Sequence, residues 1–277
     1  MIIAPNHTPE FSNDVLLSTV VALIIFTLGI IINIFIKSIS EKRRLKNIKK
    51  FLSFGLSSLV DAGREQIDNL IKTSEDISNP NCYNFVIRDN VNFNTKSLSS
   101  ISTIDLHKII FRLKTKHNHS KILDDILNTI DFVDNLRKNY IANIQNYFAK
   151  YAEIEKRWNS EFEKIRKLIV DQSYKSNVEP FSKLNIEINE IFHSFRKEAP
   201  DNGMDTKKEL FIDKINKACG EYLEDPLSKN FGELTLSCSN TYLLIKEQRK
   251  IYSEQMLIEK KSLELRIKSL EGIIKML

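Results

Sequence analysis

The sequence predicts an all-α protein, in which a single N-terminal transmembrane helix is followed by an elongated antiparallel helical bundle with coiled-coil-like long helices. Two patterns predict this class. Residues 15–36 carry no charged side chain, and from Ser102 onward apolar residues recur at the spacings of three and four that an amphipathic helix requires. The 277 residues also include only 7 Gly and 6 Pro, too few for the many turns of an all-β domain.

Composition argues against two broad classes, disordered chains and non-specific nucleic-acid-binding proteins. With 42% hydrophobic and 28% charged residues, the chain is too apolar to be disordered. Of the net charge of +5, residues 37–50 supply +6 and residues 1–36 supply −2, so residues 51–277 carry only +1. Non-specific nucleic-acid binding depends on a broad basic field, and we therefore expect no nucleic-acid partner. The preference for Ile and Asn over Ala is typical of AT-rich coding sequence and favours a bacterial source.

Residues 15–36, VLLSTVVALIIFTLGIIINIFI, fit a membrane-spanning helix. A helix of this length rises about 33 Å, enough to cross the hydrocarbon core of a bilayer. The alternatives fit less well. A buried core helix normally carries a polar stripe, and a cleavable signal peptide has a basic residue before a shorter apolar run and a small-residue cleavage site after it. We therefore expect an uncleaved anchor.

The basic residues nearest the anchor all follow it, within residues 37–50. Because Lys and Arg beside a spanning helix are retained in the cytoplasm, this asymmetry orients the N-terminus outward. We expect residues 1–14 to be a short extracytoplasmic segment and residues 15–36 to cross the inner or plasma membrane once. The remainder of the chain is then cytoplasmic.

The juxtamembrane stretch, residues 37–78, is predicted to be a basic helix that ends near Ile77. Its apolar residues share one side of the helix: Leu45, Ile48, Leu52, Leu56 and Leu59. The candidate membrane-surface residues are Lys42, Arg43, Arg44, Lys46, Lys49 and Lys50. Two interpretations are open. The helix lies along an anionic leaflet, or its cations only set the topology and the helix connects anchor to bundle.

Residues 79–102 interrupt the helical pattern. Pro80, a cluster of Asn residues and alternating apolar residues predict an Asn-rich loop, or a short hairpin over residues 83–94. Loops on a helical scaffold often carry recognition, so this stretch is a candidate partner contact. The bundle itself, residues 103–277, is expected to begin after Ser102, whose spacing to Asp105 is close to that of a capping box.

The most regular pattern lies in a helix predicted over residues 120–171. Apolar residues alternate at spacings of four and three, with Arg137 in the one gap, and we call the following set the seam: Ile126, Ile130, Val133, Tyr140, Ile144, Tyr147, Tyr151, Ile154 and Trp158. Phe162 then follows after four residues where three are expected, which resembles a coiled-coil stutter. The seam's aromatic side chains suit a bundle groove better than a two-stranded zipper.

Three further helices complete the predicted bundle. One covers residues 181–197. Another starts near Thr206, at capping-box spacing from Glu209, and stops before Pro226. The last covers about residues 233–277, and its apolar residues occupy nearly half its circumference, which predicts more than one neighbouring helix. Its opening ELTLSCS alternates in the manner of a strand, an alternative that its isolation disfavours.

A few residues have spacings associated with metal sites. Glu190 and His193 match the Glu-x-x-His pair of di-iron bundles, but the pair occurs once and lies off the apolar side of its helix. His107, His117 and His119 come close in sequence, yet no Cys or carboxylate cluster completes a zinc ligand set. Solvated positions are the expected reading for all five residues.

The sequence also lacks the cysteine pairs and the common catalytic motifs that would indicate an enzyme. Cys82, Cys219 and Cys238 are odd in number and form no CxxC pair, so free thiols in a reducing compartment are expected. The chain has no GxSxG, P-loop or HExxH sequence. We therefore predict no catalytic residue, no metal ligand and no cofactor.

These observations favour a membrane-anchored cytoplasmic bundle that acts as a scaffold, tether or assembly subunit. Its expected partners are a bilayer with anionic headgroups and an unidentified protein, with self-association through the seam as a further contact. The alternative is a membrane-acting effector or signalling subunit of a bacterial stress or phage-defence system. A metal-dependent enzyme is the third and least favoured hypothesis.

Overall fold

The computed structural model describes residues 13–79, 88, 91–113, 115, 118–175, 182–198 and 203–277. They form helices, and none of these residues lies in a strand, so the predicted all-α class is confirmed. The helices are α1 (Asn13–Ser78), α2 (Thr95–Ser99), α3 (Thr103–Ile110), α4 (His119–Lys175), α5 (Lys183–Glu198), α6 (Met204–Lys207), α7 (Asp213–Glu221) and α8 (Pro226–Met276). A π-helical turn, Lys208–Ile212, joins α6 to α7.

Helix α1 is a continuous helix of 66 residues. It contains no Pro, and it ends just before Pro80, close to the predicted end at Ile77. Near its start, an 18-residue window has a mean hydropathy of 2.8, and none of that window is buried. By length and composition, α1 is therefore able to span a membrane.

Helix α8 runs antiparallel to both α1 and α4. Arg64 Nη2 lies 2.6 Å from Glu271 Oε1, and further along α1 the Oγ atoms of Ser74 and Ser253 are 2.7 Å apart, so residue numbers rise in α1 as they fall in α8. The same order holds between α4 and α8 at Asp125 with Ser269 and at Tyr147 with Tyr252. At 57 and 51 residues, α4 and α8 are each about 75 to 85 Å long, and the bundle is elongated.

Two hydrophobic cores follow one another along these long helices. The proximal core lies between α1, α2, α3, the first half of α4 and the end of α8, and includes Leu52, Leu56, Leu70, Ile110, Ile126, Met256 and Leu270. The distal core lies between the second half of α4, α5, α6, α7 and the start of α8, and includes Trp158, Ile165, Leu184, Ile188, Phe211, Ile215 and Phe231. Tyr151 packs against both cores.

The stretch predicted as loop or hairpin contains a helix, α2, that packs on α1. Leu98 of α2 lies so close to Gly55 that a Cβ at residue 55 would come within 2.5 Å of Leu98 Cδ2. Most of the predicted hairpin, residues 83–94, lies outside the described residues. Helix α3 begins at the predicted cap, where Ser102 Oγ accepts a hydrogen bond from Asp105 N at 3.3 Å.

Two predicted helix starts are wrong. Helix α6 begins at Met204, so Thr206 lies inside the helix and does not cap it. Helix α8 begins at Pro226, earlier than predicted, because the Asp225 carboxylate accepts a hydrogen bond from Leu227 N at 2.9 Å and Pro needs no N–H in a first turn. The ELTLSCS segment consequently lies within α8, and the strand alternative is wrong.

Candidate functional site

The seam lies inside the bundle. Seven of its residues are buried, namely Ile126, Ile130, Val133, Tyr140, Ile144, Tyr147 and Trp158, and Tyr151 and Ile154 are half-buried. Thr73 Oγ1 and the Tyr140 hydroxyl are 3.0 Å apart across the proximal core. The seam residues thus make contacts between helices of one chain. They leave no open face of the seam to which a second copy could bind.

One seam position was assigned to the wrong residue. Leu136 is buried where the heptad spacing placed Arg137, and Arg137 is exposed. Both residues lie three or four positions from Val133 and Tyr140, so either spacing keeps a side chain near the core. The apolar one takes the buried position because an arginine there would bury its charge.

The juxtamembrane helix meets the bundle rather than presenting its apolar side to a leaflet. Leu45, Leu52, Leu56 and Leu59 are buried in the proximal core, and Ile48 is half-buried against it. The bundle thus covers the apolar side of this helix, which favours the interpretation as a connecting helix. A helix whose apolar side is already covered has no such side left to lie along a membrane surface.

The candidate membrane-surface cations nevertheless stay outside the core. Lys42, Arg43, Arg44, Lys46 and Lys50 are exposed, and Lys49 is half-buried. The Arg44 guanidinium forms a bidentate pair with Asp105, at 2.8 and 2.7 Å, which raises the pKa of Arg44. Five cations therefore remain available near the end of the apolar segment, and Arg44 ties α1 to α3.

On the outer face of α8, four apolar side chains are exposed at intervals of seven residues. These residues, which we call the outer stripe, are Leu244, Ile251, Ile258 and Leu265. The breadth of the apolar side of this helix predicted that neighbouring helices would cover them. The structure leaves them exposed because α1, α4 and α7 pack against the opposite side of α8, which carries Ile245, Tyr252, Met256, Leu263 and Leu270.

Charged residues follow the outer stripe in a defined order. An exposed charged side chain lies three residues after each member of the stripe: Glu247, Glu254, Lys261 and Lys268. Within this row the charge changes from negative toward the start of α8 to positive toward its end, while Lys250, 3.9 Å from Glu254, and Glu264 are exposed beside it. A strip of apolar side chains about 30 Å long with flanking charges has the pattern that a second helix packs against.

The two cores meet at a buried cluster of polar side chains that was not predicted from the sequence. Arg249 is only 8% exposed; its Nη2 donates to the Tyr151 hydroxyl at 3.3 Å, and its Nη1 lies 3.8 Å from Asp205 Oδ2. The Tyr242 hydroxyl donates to Asp205 Oδ1. Burial, followed by that hydrogen bond, raises the pKa of Tyr242. The available signal was the position of Arg249 on the buried side of α8, between Ile245 and Tyr252.

Both cysteines that the structure describes are buried and free. Burial raises the pKa of Cys219 to about 11 and that of Cys238 to about 12. Since the thiolate is the reactive form, neither residue has the environment of a nucleophile or redox centre. Cys82 lies outside the described residues.

The residues with metal-like spacings are not brought together as ligands. Glu190 and His193 are exposed. The rings of His107 and His119 stack on Phe111, with centroids 4.0 and 5.1 Å away. Within the described part of the chain, no group of three His, Cys, Asp or Glu side chains is placed to hold a metal ion; His117 falls outside it.

These features define an all-α protein in which one helix able to span a membrane continues into an elongated bundle. Comparison with protein-family models, with curated proteins and with solved structures found no match to the chain.

Proposed function

We propose that the protein is a single-pass membrane-anchored scaffold whose cytoplasmic bundle holds a partner protein along the outer stripe. The observation that carries the proposal is the continuity of α1. Its exposed apolar part and its buried bundle part belong to one helix, with no linker between them. A protein built this way holds its bundle in a fixed relation to the membrane instead of tethering it loosely.

The outer stripe supports the choice of contact surface. Glu271 of α8 pairs with Arg64 of α1, and Ile36 is the last residue of the uncharged run. Measured along the helices, the stripe therefore lies about 50 to 80 Å from the hydrocarbon edge. A partner bound there would be held at a set height above the membrane.

The charge order favours a different protein over a second copy. Two copies in one membrane present α8 in the same direction, and in-register pairing would set Glu254 opposite Glu254 and Lys261 opposite Lys261. Like charges at such positions oppose pairing. We therefore propose that the occupant is an amphipathic helix of another protein, with basic residues facing Glu247 and Glu254 and acidic residues facing Lys261 and Lys268.

Site-specific photo-crosslinking in the native membrane tests the proposal. A photoreactive residue replaces Ile258, and in a matched variant it replaces Ile141, an exposed apolar residue of α4. We expect one discrete adduct with a different protein from residue 258 and none from residue 141. The double charge reversal Glu254→Lys with Lys261→Glu should abolish the adduct while the protein stays in the membrane fraction.

Each other result counts against part of the proposal. An adduct between two copies would replace the different partner with self-assembly. No adduct at residue 258 would remove the outer stripe as the contact surface. Release of the protein from membranes by alkaline carbonate would overturn the anchor itself.

A further inference from the structure

The position of α3 relative to the apolar segment follows from two ion pairs. One is the bidentate pair of Arg44 and Asp105, and in the other Lys108 Nζ donates to Glu41 Oε1 at 2.6 Å. From the first pair to the second, the residue number rises by three in α3. It falls by three in α1. Helix α3 is therefore antiparallel to α1 and points toward the apolar segment.

The same register brings the end of α3 to the edge of the bilayer. It places Phe111 level with Ser38 and Arg112 level with Lys37. The backbone stays helical through this point, since Phe111 N donates to His107 O at 2.9 Å. Phe111 then lies about 3 Å beyond the end of the uncharged run. This depth falls within the headgroup layer, which is about 5 to 7 Å thick on each side of a bilayer.

The side chains at this end have the chemistry of an interfacial contact. Phe111 is 46% exposed, although it is large and apolar, and its ring is held between the rings of His107 and His119. Arg112, next in the chain, is exposed. An aromatic ring beside a cation suits the boundary between hydrocarbon and headgroups, where the ring meets acyl chains and the cation meets phosphate.

The surroundings of Phe111 are positively charged. The two carboxylates on the facing helices, Glu41 and Asp105, are each paired with a cation. The hydrogen bond from Lys108 lowers the pKa of Glu41, so Glu41 stays charged and paired. Further cations are exposed on α1: Lys37 lies at a similar depth, and Lys42 and Arg43 lie about 9 to 10 Å beyond the uncharged run. Such a cluster attracts anionic lipid headgroups.

We infer that the end of α3, at Phe111 and Arg112, inserts into the headgroup layer as a second membrane contact with anionic lipid. This inference rests on the proposed anchoring through α1. The spanning part of α1 and the end of α3 would then touch the membrane at two separate points of one rigid unit. Because the second point lies off the axis of α1, it sets the rotation of the bundle about that axis. A single spanning helix leaves that rotation free. The direction in which the outer stripe faces is thereby set as well.

Depth-dependent fluorescence quenching tests the inference with full-length protein in lipid vesicles. The chain's one Trp, Trp158, is buried in the distal core and supplies a constant background. Three single variants place a new tryptophan at increasing distance from the bilayer centre: Phe26→Trp within the apolar segment, Phe111→Trp at the inferred contact, and Phe54→Trp as control. Phe54 is 74% exposed, more than Phe111, and lies about 27 Å beyond the apolar segment.

We expect phospholipids brominated deep in the acyl chains to quench the Phe26→Trp variant. Those brominated near the headgroup should quench the Phe111→Trp variant at least roughly twofold more than the Phe54→Trp variant, as an interfacial residue requires. Quenching at residue 26 with none at residue 111 would overturn the inference and leave the anchor standing. No quenching at either residue would instead overturn the anchor.

The lipid specificity is tested with the same variant. Vesicles that contain phosphatidylglycerol should quench the Phe111→Trp variant more than vesicles of phosphatidylcholine alone, and the added change Arg112→Glu should remove this difference. Equal quenching in both lipids would overturn the assignment of anionic lipid as the ligand. Circular dichroism of each variant shows that the helices are retained.

Discussion

Glu259 shows how one residue in the proximal core responds to its surroundings. Its Oε1 accepts a hydrogen bond from Asn143 Nδ2 at 3.0 Å, while its Oε2 is buried and accepts no hydrogen bond from the described residues. Burial raises the pKa of Glu259 from 4.5 to about 7. The folded protein thus keeps the carboxyl group protonated under conditions where the unfolded chain ionises it.

Replacement of Glu259 by Gln should change how stability depends on pH. Between about pH 4.5 and 7 the folded state of the wild type binds a proton that the unfolded state has lost, so its stability falls as the pH rises through this range. The neutral amide has no such dependence. We expect Glu259→Gln to be more stable than the wild type by about 1 to 2 kcal/mol at pH 8, allowing for screening of a partly exposed group. At pH 4 the two should be equal.

Chemical denaturation followed by circular dichroism, in detergent at the two pH values, measures this difference. Glu254→Gln is the matched control, because Glu254 lies five residues away on α8 and is exposed. The explanation by burial would be contradicted if Glu254→Gln raised the free energy of unfolding at pH 8 as much as Glu259→Gln does. It would also be contradicted if Glu259→Gln were still more stable than the wild type at pH 4.

Residue identity at the buried positions was only partly predictable. The seam positions followed from spacing, yet Leu136 rather than Arg137 takes the buried position. The buried cluster around Arg249 was not predicted at all. Spacing along one helix indicates which side is buried, but the partner that makes a buried charge acceptable, Asp205, comes from another helix.

At the scale of the elements, the contact between α1 and α8 depends on the absence of a side chain at Gly63. A Cβ there would come within 2.4 Å of Ile267 Cδ1 and 3.0 Å of Ile267 Cγ1. The two helices therefore approach closely where Ile267 covers the backbone of α1. Gly232, in α8, has no neighbouring atom within 4 Å of such a Cβ.

Gly63→Leu should destabilise the bundle by about 1 to 3 kcal/mol, because the larger side chain forces α8 away from α1. Gly232→Leu is the matched control. It makes the same chemical change where no neighbouring atom lies close. The variant should be more stable than the wild type by a few tenths to about 1 kcal/mol, because leucine is the better helix former. Thermal unfolding of both variants measures the contrast; destabilisation of both, or of neither, would contradict a close contact at Gly63.

The elements themselves were largely predictable. The end of α1, the cap of α3 and the extent of α4 follow from local signals, because a helix is made by neighbours in sequence. The start of α8 was missed, since Pro226 was taken only as the stop of the preceding helix. The side of α8 that stays exposed was not predictable, because an apolar side has the same pattern whether or not a helix covers it.

For the whole molecule, the seven cations that follow the apolar segment predict the orientation of the chain. We expect a green fluorescent protein fused after Leu277 to fluoresce and an alkaline phosphatase fused at the same point to be inactive, as for a cytoplasmic C-terminus. Neutral replacements of all seven cations should weaken this orientation. Phosphatase activity in the fusion to the native sequence would overturn the proposed topology and, with it, the cytoplasmic partner.

The sequence by itself determined the all-α class, the presence of one helix able to span a membrane and the helical nature of nearly every later segment. These are properties of short stretches, set by hydrophobic period, length and charge. Only the tertiary structure decided that the seam is used within the chain, that the apolar side of the juxtamembrane helix is covered, and that the outer stripe stays open. It also placed Phe111 beside the end of the apolar segment. These outcomes depend on which helices meet, and contacts between residues far apart in sequence leave no pattern in any one stretch of it.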